Sequence, residues 1–197
     1  MKSILLKTWE VQAILDGIKT QTRRVIKPRD PWKPASDGSP AYVSVLMENG
    51  EWGWSFDGCI YGIIGRSPYQ PGDLLWVRET WGKDDNGEYV YRTNYGTTED
   101  DSFPPSMFKW RPSIHMPEEA ARLFLRVKDV RVERLQDISE DDARADGVRA
   151  YGPNNCSGTS ARIAFAELWD SLNAKRGLGW DTNPWVWVIE FKVVQKP

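Results

Sequence analysis

Residues 14–28 read Ile14-Leu15-Asp16-Gly17-Ile18-Lys19-Thr20-Gln21-Thr22-Arg23-Arg24-Val25-Ile26-Lys27-Pro28. An apolar helical pattern stops at Gly17. A run from Lys19 to Arg24 follows with no acid in it. Asp16 is the one acid of the stretch, against Lys19, Arg23, Arg24 and Lys27. The formal net charge of the chain is -2, so this positive excess is local. A helix closed by glycine that leads straight into hydroxyl and cationic side chains makes a platform for an anion or a nucleotide. A solvated basic turn has the same composition, and on this segment alone both readings stand.

Working outward, Ser3 to Lys7 reads as a short strand. Thr8 is the expected N-cap of a helix over Trp9 to Asp16, with Val11, Ile14 and Leu15 on one face and Gly17 just past its end. Beyond the glycine, Thr20, Thr22 and Val25 interleave with Gln21 and Arg23, which predicts a strand with a threonine face and a long polar face. The region from Pro28 to Pro71 is rich in proline and glycine. Within it, Tyr42 to Met47 and Trp52 to Phe56 are expected to pair as a hairpin across Glu48-Asn49-Gly50-Glu51. Leu74 to Glu79 predicts a strand ended by Thr80-Trp81-Gly82, and Glu88 to Thr93 predicts another. Arg122 to Leu135 alternates as a long strand whose phase slips at Lys128-Asp129, the mark of a β-bulge. Ser139 opens a short acidic helix ending at Gly147. Thr159 or Ser160 caps a longer one to about Ala174, with Ile163, Ala166, Leu168, Trp169 and Leu172 periodic. Trp185 to Val194 closes the chain as a strand. The order β-α-β, insertion, β-β, insertion, β-α-α-β predicts the α+β class: one domain over residues 1–197, a small mixed or closed β-barrel with helices at its ends, and insertions at about 29–67 and 83–117.

Composition narrows the function. At 197 residues, 40% hydrophobic and 27% charged, the chain reads as globular. Its 11 tryptophans are mostly core material, but so many raise the chance of a ring face that stacks on a base. Two cysteines, Cys59 and Cys156, suit a reducing compartment, and with the single His115 they make no ordinary zinc site. No metal or cofactor is expected. The segment from Met1 to Lys7 is too short in apolar residues for a signal peptide, and no run of roughly 18 apolar residues occurs. A cytoplasmic protein that does not enter membranes is the expectation.

Three segments in order resemble the ASCH domain of the PUA-like superfamily, in its phage and prophage form. They are Leu15 to Arg24, with its Gly-x-Lys-Thr-x-Thr-Arg core; Gly72 to Trp81, reading Gly-Asp-Leu-Leu-Trp-Val-Arg-Glu-Thr-Trp; and Asn183 to Phe191, reading Asn-Pro-Trp-Val-Trp-Val-Ile-Glu-Phe. The resemblance spans most of the chain outside 29–67 and 83–117. It implies a PUA-like β-barrel with a cleft for RNA, nucleosides or modified bases. Some compact bacterial ASCH proteins are amidohydrolases that deacetylate N4-acetylcytidine with a Lys, a Thr and a Glu. By position, the resemblance places the Lys at Lys19 and the Thr at Thr22. The acid falls in the helix after Ser139, where this chain offers Asp146, one methylene shorter than Glu.

The side chains fit that chemistry in two ways. Thr22 becomes a nucleophile only if a neighbour takes its proton, and Lys19 is the nearest base. Asp146 or Glu79 would then protonate the leaving amine. Glu79 at a strand end reads equally as an ion pair with Arg23, Arg24 or Arg78. Arg23 and Arg24 have the fork that matches phosphate oxygens. The nucleic-acid set is therefore Lys19, Thr20, Thr22, Arg23, Arg24 and Arg78, with Trp81 and Trp110 as stacking candidates beside loops. Two hypotheses follow: a module that binds RNA, DNA or a modified nucleotide, and a hydrolase of an acylated nucleoside. A ribonuclease is a weaker third. The acidic balance of the chain opposes tight binding to long duplexes and favours a local cleft.

Overall fold

The computed structural model describes residues 1–27, 43–56, 59–95, 108–148 and 160–196. Its main sheet has five strands in the order β1-β6-β9-β10-β2. These are β1 (Lys2–Leu5), β2 (Gln21–Val25), β6 (Leu74–Arg78), β9 (Phe124–Arg134) and β10 (Trp185–Val194). β1 runs parallel to β6, and the remaining pairs are antiparallel. Alternation along β10 sorts its side chains between two cores. Trp187, Ile189 and Phe191 face inward with Ile4, Leu75, Val77 and Val130. Val186 and Val188 face outward, under α2 (Glu140–Ala145) and α3 (Ala161–Asn173). The helix α1 (Thr8–Leu15) closes the inner side with Val11 and Ile14.

The β9–β10 ladder carries the expected bulge. Glu190 pairs with Asp129, Phe191 pairs with Val127, and Lys128 is left over. That extra residue lets Leu125 and Val127 share the inner core with Val130 and Val132 in spite of the slipped phase. The hairpin in the first insertion also forms. β3 (Val43–Leu46) pairs with β4 (Trp52–Phe56), and β5 (Cys59–Gly65) adds a third strand. It lies over the main sheet, with the Trp54 ring 4.3 Å from Trp185 and the Trp52 ring 5.8 Å from Trp187.

Mixed strands and helices place the protein in the α+β class. Among the described residues no hydrogen-bonded ladder joins β1 to β2, so the main sheet is open there. The two edges are nonetheless bridged by a side chain, since Arg24 Nη2 on β2 donates to the Leu5 carbonyl at 2.9 Å.

Local expectations need four corrections. The N-cap of α1 is Lys7, one residue before Thr8, and the Glu10 carboxylate accepts from its N–H at 2.8 Å. Leu15 is half exposed, and Ala13 is buried instead. Ile163 is likewise exposed, and α3 turns Ala164, Phe165 and Trp169 inward. Trp81 and Gly82 do not end a strand; they start β7 (Trp81–Lys83), which pairs with β8 (Tyr89–Tyr91). Thr159 lies outside the described residues, and Ser160 precedes α3 without a side-chain cap bond. Glu140 supplies that cap, accepting from the Ala161 N–H at 2.8 Å.

Candidate functional site

The site grows from the ends of two helices. After α1 the chain reverses at Gly17, which has φ +73°. This left-handed turn lets the Ala13 carbonyl accept from both Ile18 and Lys19 N–H at 2.9 Å. The next residue is tied elsewhere, since Thr20 N–H donates to Ala145 O at the end of α2. Gly147 follows α2 with φ +94°, and a Cβ there would stand 3.1 Å from the Cβ atoms of Ala13 and Lys19. The carboxyl ends of α1 and α2 therefore converge on Lys19. Both present negative dipole ends, which favour a cation between them.

Lys19 is buried with its ammonium accounted for. Nζ donates to the Asp146 carbonyl at 2.6 Å and stands 3.6 Å from both Glu10 Oε1 and Asp146 Oδ1. The Trp9 ring centroid lies 5.6 Å away. Asp146 also pairs with Arg23, whose side chain is 1% exposed. Arg23 Nη2 reaches Glu133 at 3.2 Å, and its Nε has no acceptor. Gln21 Nε2 donates to the Asp142 backbone at 2.8 Å, and Arg131 links Asp142, Glu133 and Glu190. Burial pushes the Asp146 carboxyl above its ordinary range, and Lys19 and Arg23 offset only part of that rise. Burial also raises Asp142, but its bonds from Gln21 and Ser139 and the Arg23 and Arg131 charges outweigh it, leaving that carboxyl lowered.

Strand alternation splits β2. Gln21 and Arg23 face α2 and α3. Thr22 and Arg24 face the other way, opposite Ile189 and Trp187 on β10. Because β2 is an edge strand, one cavity wraps its border and draws on both faces. This cavity holds about 480 Å³ and is lined by Lys19, Thr22, Arg23, Arg24 and Asp146 together. Trp9 and Glu10 close one side, Phe165, Leu168 and Trp169 of α3 form another, and Ser113 reaches in from the second insertion. Among the described residues the Thr22 hydroxyl makes no hydrogen bond, so Lys19 does not engage it in this state.

The other candidates lie elsewhere. Thr20 is exposed and contributes its backbone only, its carbonyl accepting from Phe191. Glu79 is fully buried outside the cavity. It is indeed an ion pair, but with Arg122 at 2.9 and 3.0 Å and with a bond from Thr93, not with Arg23, Arg24 or Arg78. Arg78 donates to the Ser113 and Ile114 carbonyls and lies over Trp76. Trp81 has no open ring face, being 3% exposed among Met116, Ala120, Tyr89 and Arg111. Trp110 packs on Tyr95, Phe108 and Arg92. None of these five lines the cavity.

Glu10 and the α3 wall were not anticipated. One signal for Glu10 was present: it sits three and four positions before the buried Ala13 and Ile14, so an acid stands in the apolar stripe of α1. Among the described residues no group of three His, Cys, Asp or Glu could hold a metal ion, and no helix is long and apolar enough to cross a membrane.

No family model matches the chain, and neither does any curated protein. Among solved structures, protein EF3133 from Enterococcus faecalis V583, described with the family DUF984, aligns at 13% identity and a TM-score of 0.39. The alignment covers 93% of this chain and 66% of that one, so the chain spans just under two thirds of that protein. At this distance the likeness carries no conclusion about fold or function.

Proposed function

We propose that this protein is an ASCH-type member of the PUA-like superfamily that binds a modified nucleoside or nucleotide, free or within RNA or DNA, in the cavity along β2. One observation carries the reading: Asp146, 127 positions along the chain from Lys19, joins Lys19, Thr22 and Arg23 in lining a single cavity with Trp9, Phe165 and Trp169. A volume of 480 Å³ is within the usual range of small-ligand sites. Trp9, the half-buried aromatic of the lining, offers a planar base a stacking face, and a floor of paired charges offers donors and acceptors for its edge.

Deacylation is the second reading, favoured by the 3.6 Å approach of Lys19 Nζ to the buried Asp146 carboxyl. Lys19 would first pass a proton to the Asp146 carboxylate beside it, and the neutral amine would then take the Thr22 proton as Thr22 Oγ attacks the acyl carbonyl. Asp146 would protonate the departing amine. Water would then hydrolyse the Thr22 ester and release the carboxylic acid.

The test is a panel of cytidine, N4-acetylcytidine and other N4-acylated cytidines, followed for binding and for free acid. Binding that Lys19→Ala and Arg23→Gln weaken supports the module. Turnover that Thr22→Ala abolishes without loss of binding supports the hydrolase. A panel that neither binds nor turns over removes both.

A further inference from the structure

Charge around the cavity is arranged in two layers. At the floor every cation has a carboxylate. Lys19 lies between Glu10 and Asp146, and Arg23 pairs with Asp146 and Glu133. The mouth differs. Lys7, Arg24, Lys27 and Arg176 line it, and among the described residues none of the four pairs with a carboxylate. Arg24 is held only by the Leu5 carbonyl, and Arg176 only by Asn173 Oδ1 at 3.5 Å, so each guanidinium keeps free N–H groups. Six cations and two carboxylates thus line the cavity, in a chain whose formal net charge is -2. Like charges gathered at one mouth repel each other, and an anion seated among them relieves that repulsion.

We infer that the ligand carries a phosphate, held at the mouth by Lys7, Arg24, Lys27 and Arg176, while its ring lies deeper against Trp9. This rests on the nucleoside reading of the cavity and selects the phosphorylated ligand within it. The compensated floor has no net charge to spend on an anion, so the phosphate belongs outside and the base inside. The Arg24 guanidinium on β2 and the Arg176 guanidinium in the 3-10 turn after α3 can each give two N–H bonds to phosphate oxygens, and the lysines add point charges. The same geometry admits a free nucleotide or one residue of a strand, because both present phosphate oxygens one sugar away from the base.

The experiment compares cytidine, N4-acetylcytidine, uridine, adenosine and guanosine with the 5′-monophosphate of each, and with a short single-stranded oligoribonucleotide, by calorimetric titration at low and high salt. The expected result is a monophosphate bound about tenfold tighter than its nucleoside. That advantage should shrink in high salt and fall towards one in Lys7→Ala/Lys27→Ala, with nucleoside affinity unchanged. An oligonucleotide bound more tightly than the monophosphate, with the same dependence on the mouth, identifies a strand as the source of the phosphate. Nucleosides bound as tightly as both phosphorylated forms, or a phosphate advantage untouched by Lys7→Ala/Lys27→Ala and by Arg176→Gln, overturn the inference and leave the cavity reading intact. No binding by any of them overturns both. Lys7, Lys27 and Arg176 are exposed, so these variants should fold, which a thermal melt verifies.

Discussion

Lys19 owes its position to two glycines, and they are not equivalent. Gly17 and Gly147 both have positive φ, but nothing lies within 4 Å of a Cβ built on Gly17. A Cβ on Gly147 meets Lys19 Cβ and Ala13 Cβ at 3.1 Å. Both alanine variants should lose about 1–3 kcal/mol to backbone strain. Gly147→Ala should lose more, because Lys19 and α1 must also shift, and it should weaken ligand binding while Gly17→Ala does not. Urea unfolding and a ligand titration of the two variants check this; equal losses in both would mean that Lys19 has room to yield. At this scale the sequence was legible where a local pattern fixed the geometry. Lys19, Thr22 and Arg23 belong to one short segment, and Asp146 follows from the resemblance. Glu79, Arg78, Trp81 and Trp110 do not join Lys19 at the cavity, because their surroundings are set by distant residues. Arg122 neutralises Glu79 from 43 positions away, and Met116 and Ala120 cover Trp81. No local pattern reveals a partner so remote.

Elements were read more faithfully than single contacts. The β9 bulge, the hairpin of the first insertion, the short helix after Ser139 and the closing strand all leave period or turn signals, and all are present. Ser139 caps α2 by accepting from the Asp142 N–H at 3.0 Å. Which face of a helix is buried was less legible, because Leu15 and Ile163 fit the period yet sit at the margin of the stripe, where packed neighbours decide. The role of α3 in the cavity was hidden for the same reason: an apolar helix face looks alike whether it meets a core or a ligand. The insertion hairpin is the sharpest case at this scale. Trp54 is 1% exposed and joins the inner core through Trp185. Trp54→Ala should therefore cost about 3–5 kcal/mol, as a core residue does and a loop ornament does not. Its indole N–H has no acceptor, so Trp54→Phe should cost far less. Chemical denaturation of the pair checks this, and two small, similar losses would mean that the hairpin is not part of the fold's core.

The molecule as a whole turns on the seam between β1 and β2. Backbone ladders run through four strand pairs and stop there. On its outer side β1 offers the Ser3 and Leu5 carbonyls, which accept from Tyr69 OH and Arg24 Nη2 at 2.9 Å each. Burial raises the Tyr69 hydroxyl, against a smaller lowering by Arg24, so it remains a donor at neutral pH. The cavity straddles this seam, with Leu5, Leu6 and Lys7 on one bank and Arg24, Val25 and Lys27 on the other. Joining the banks by the Arg24 side chain leaves the backbone of the Arg23 edge free beside the cavity, which a closed ladder would consume. The Arg24 bond, which joins the banks, and the Tyr69 bond, which ties β1 to the segment before β6, should each contribute about 0.5–1.5 kcal/mol net. Removing both in Arg24→Gln/Tyr69→Phe should leave the β9–β10 ladder intact while β1, paired through its backbone only to β6, opens more often. Amide hydrogen exchange should then quicken in β1 by roughly tenfold and stay unchanged in β10, a pattern that ordinary global destabilisation does not give. Ligand affinity should fall in step, since the two banks no longer hold a fixed separation. Unchanged exchange in β1 would mean that β6 and the core secure the strand alone and that the seam is closed by packing, not by these two bonds.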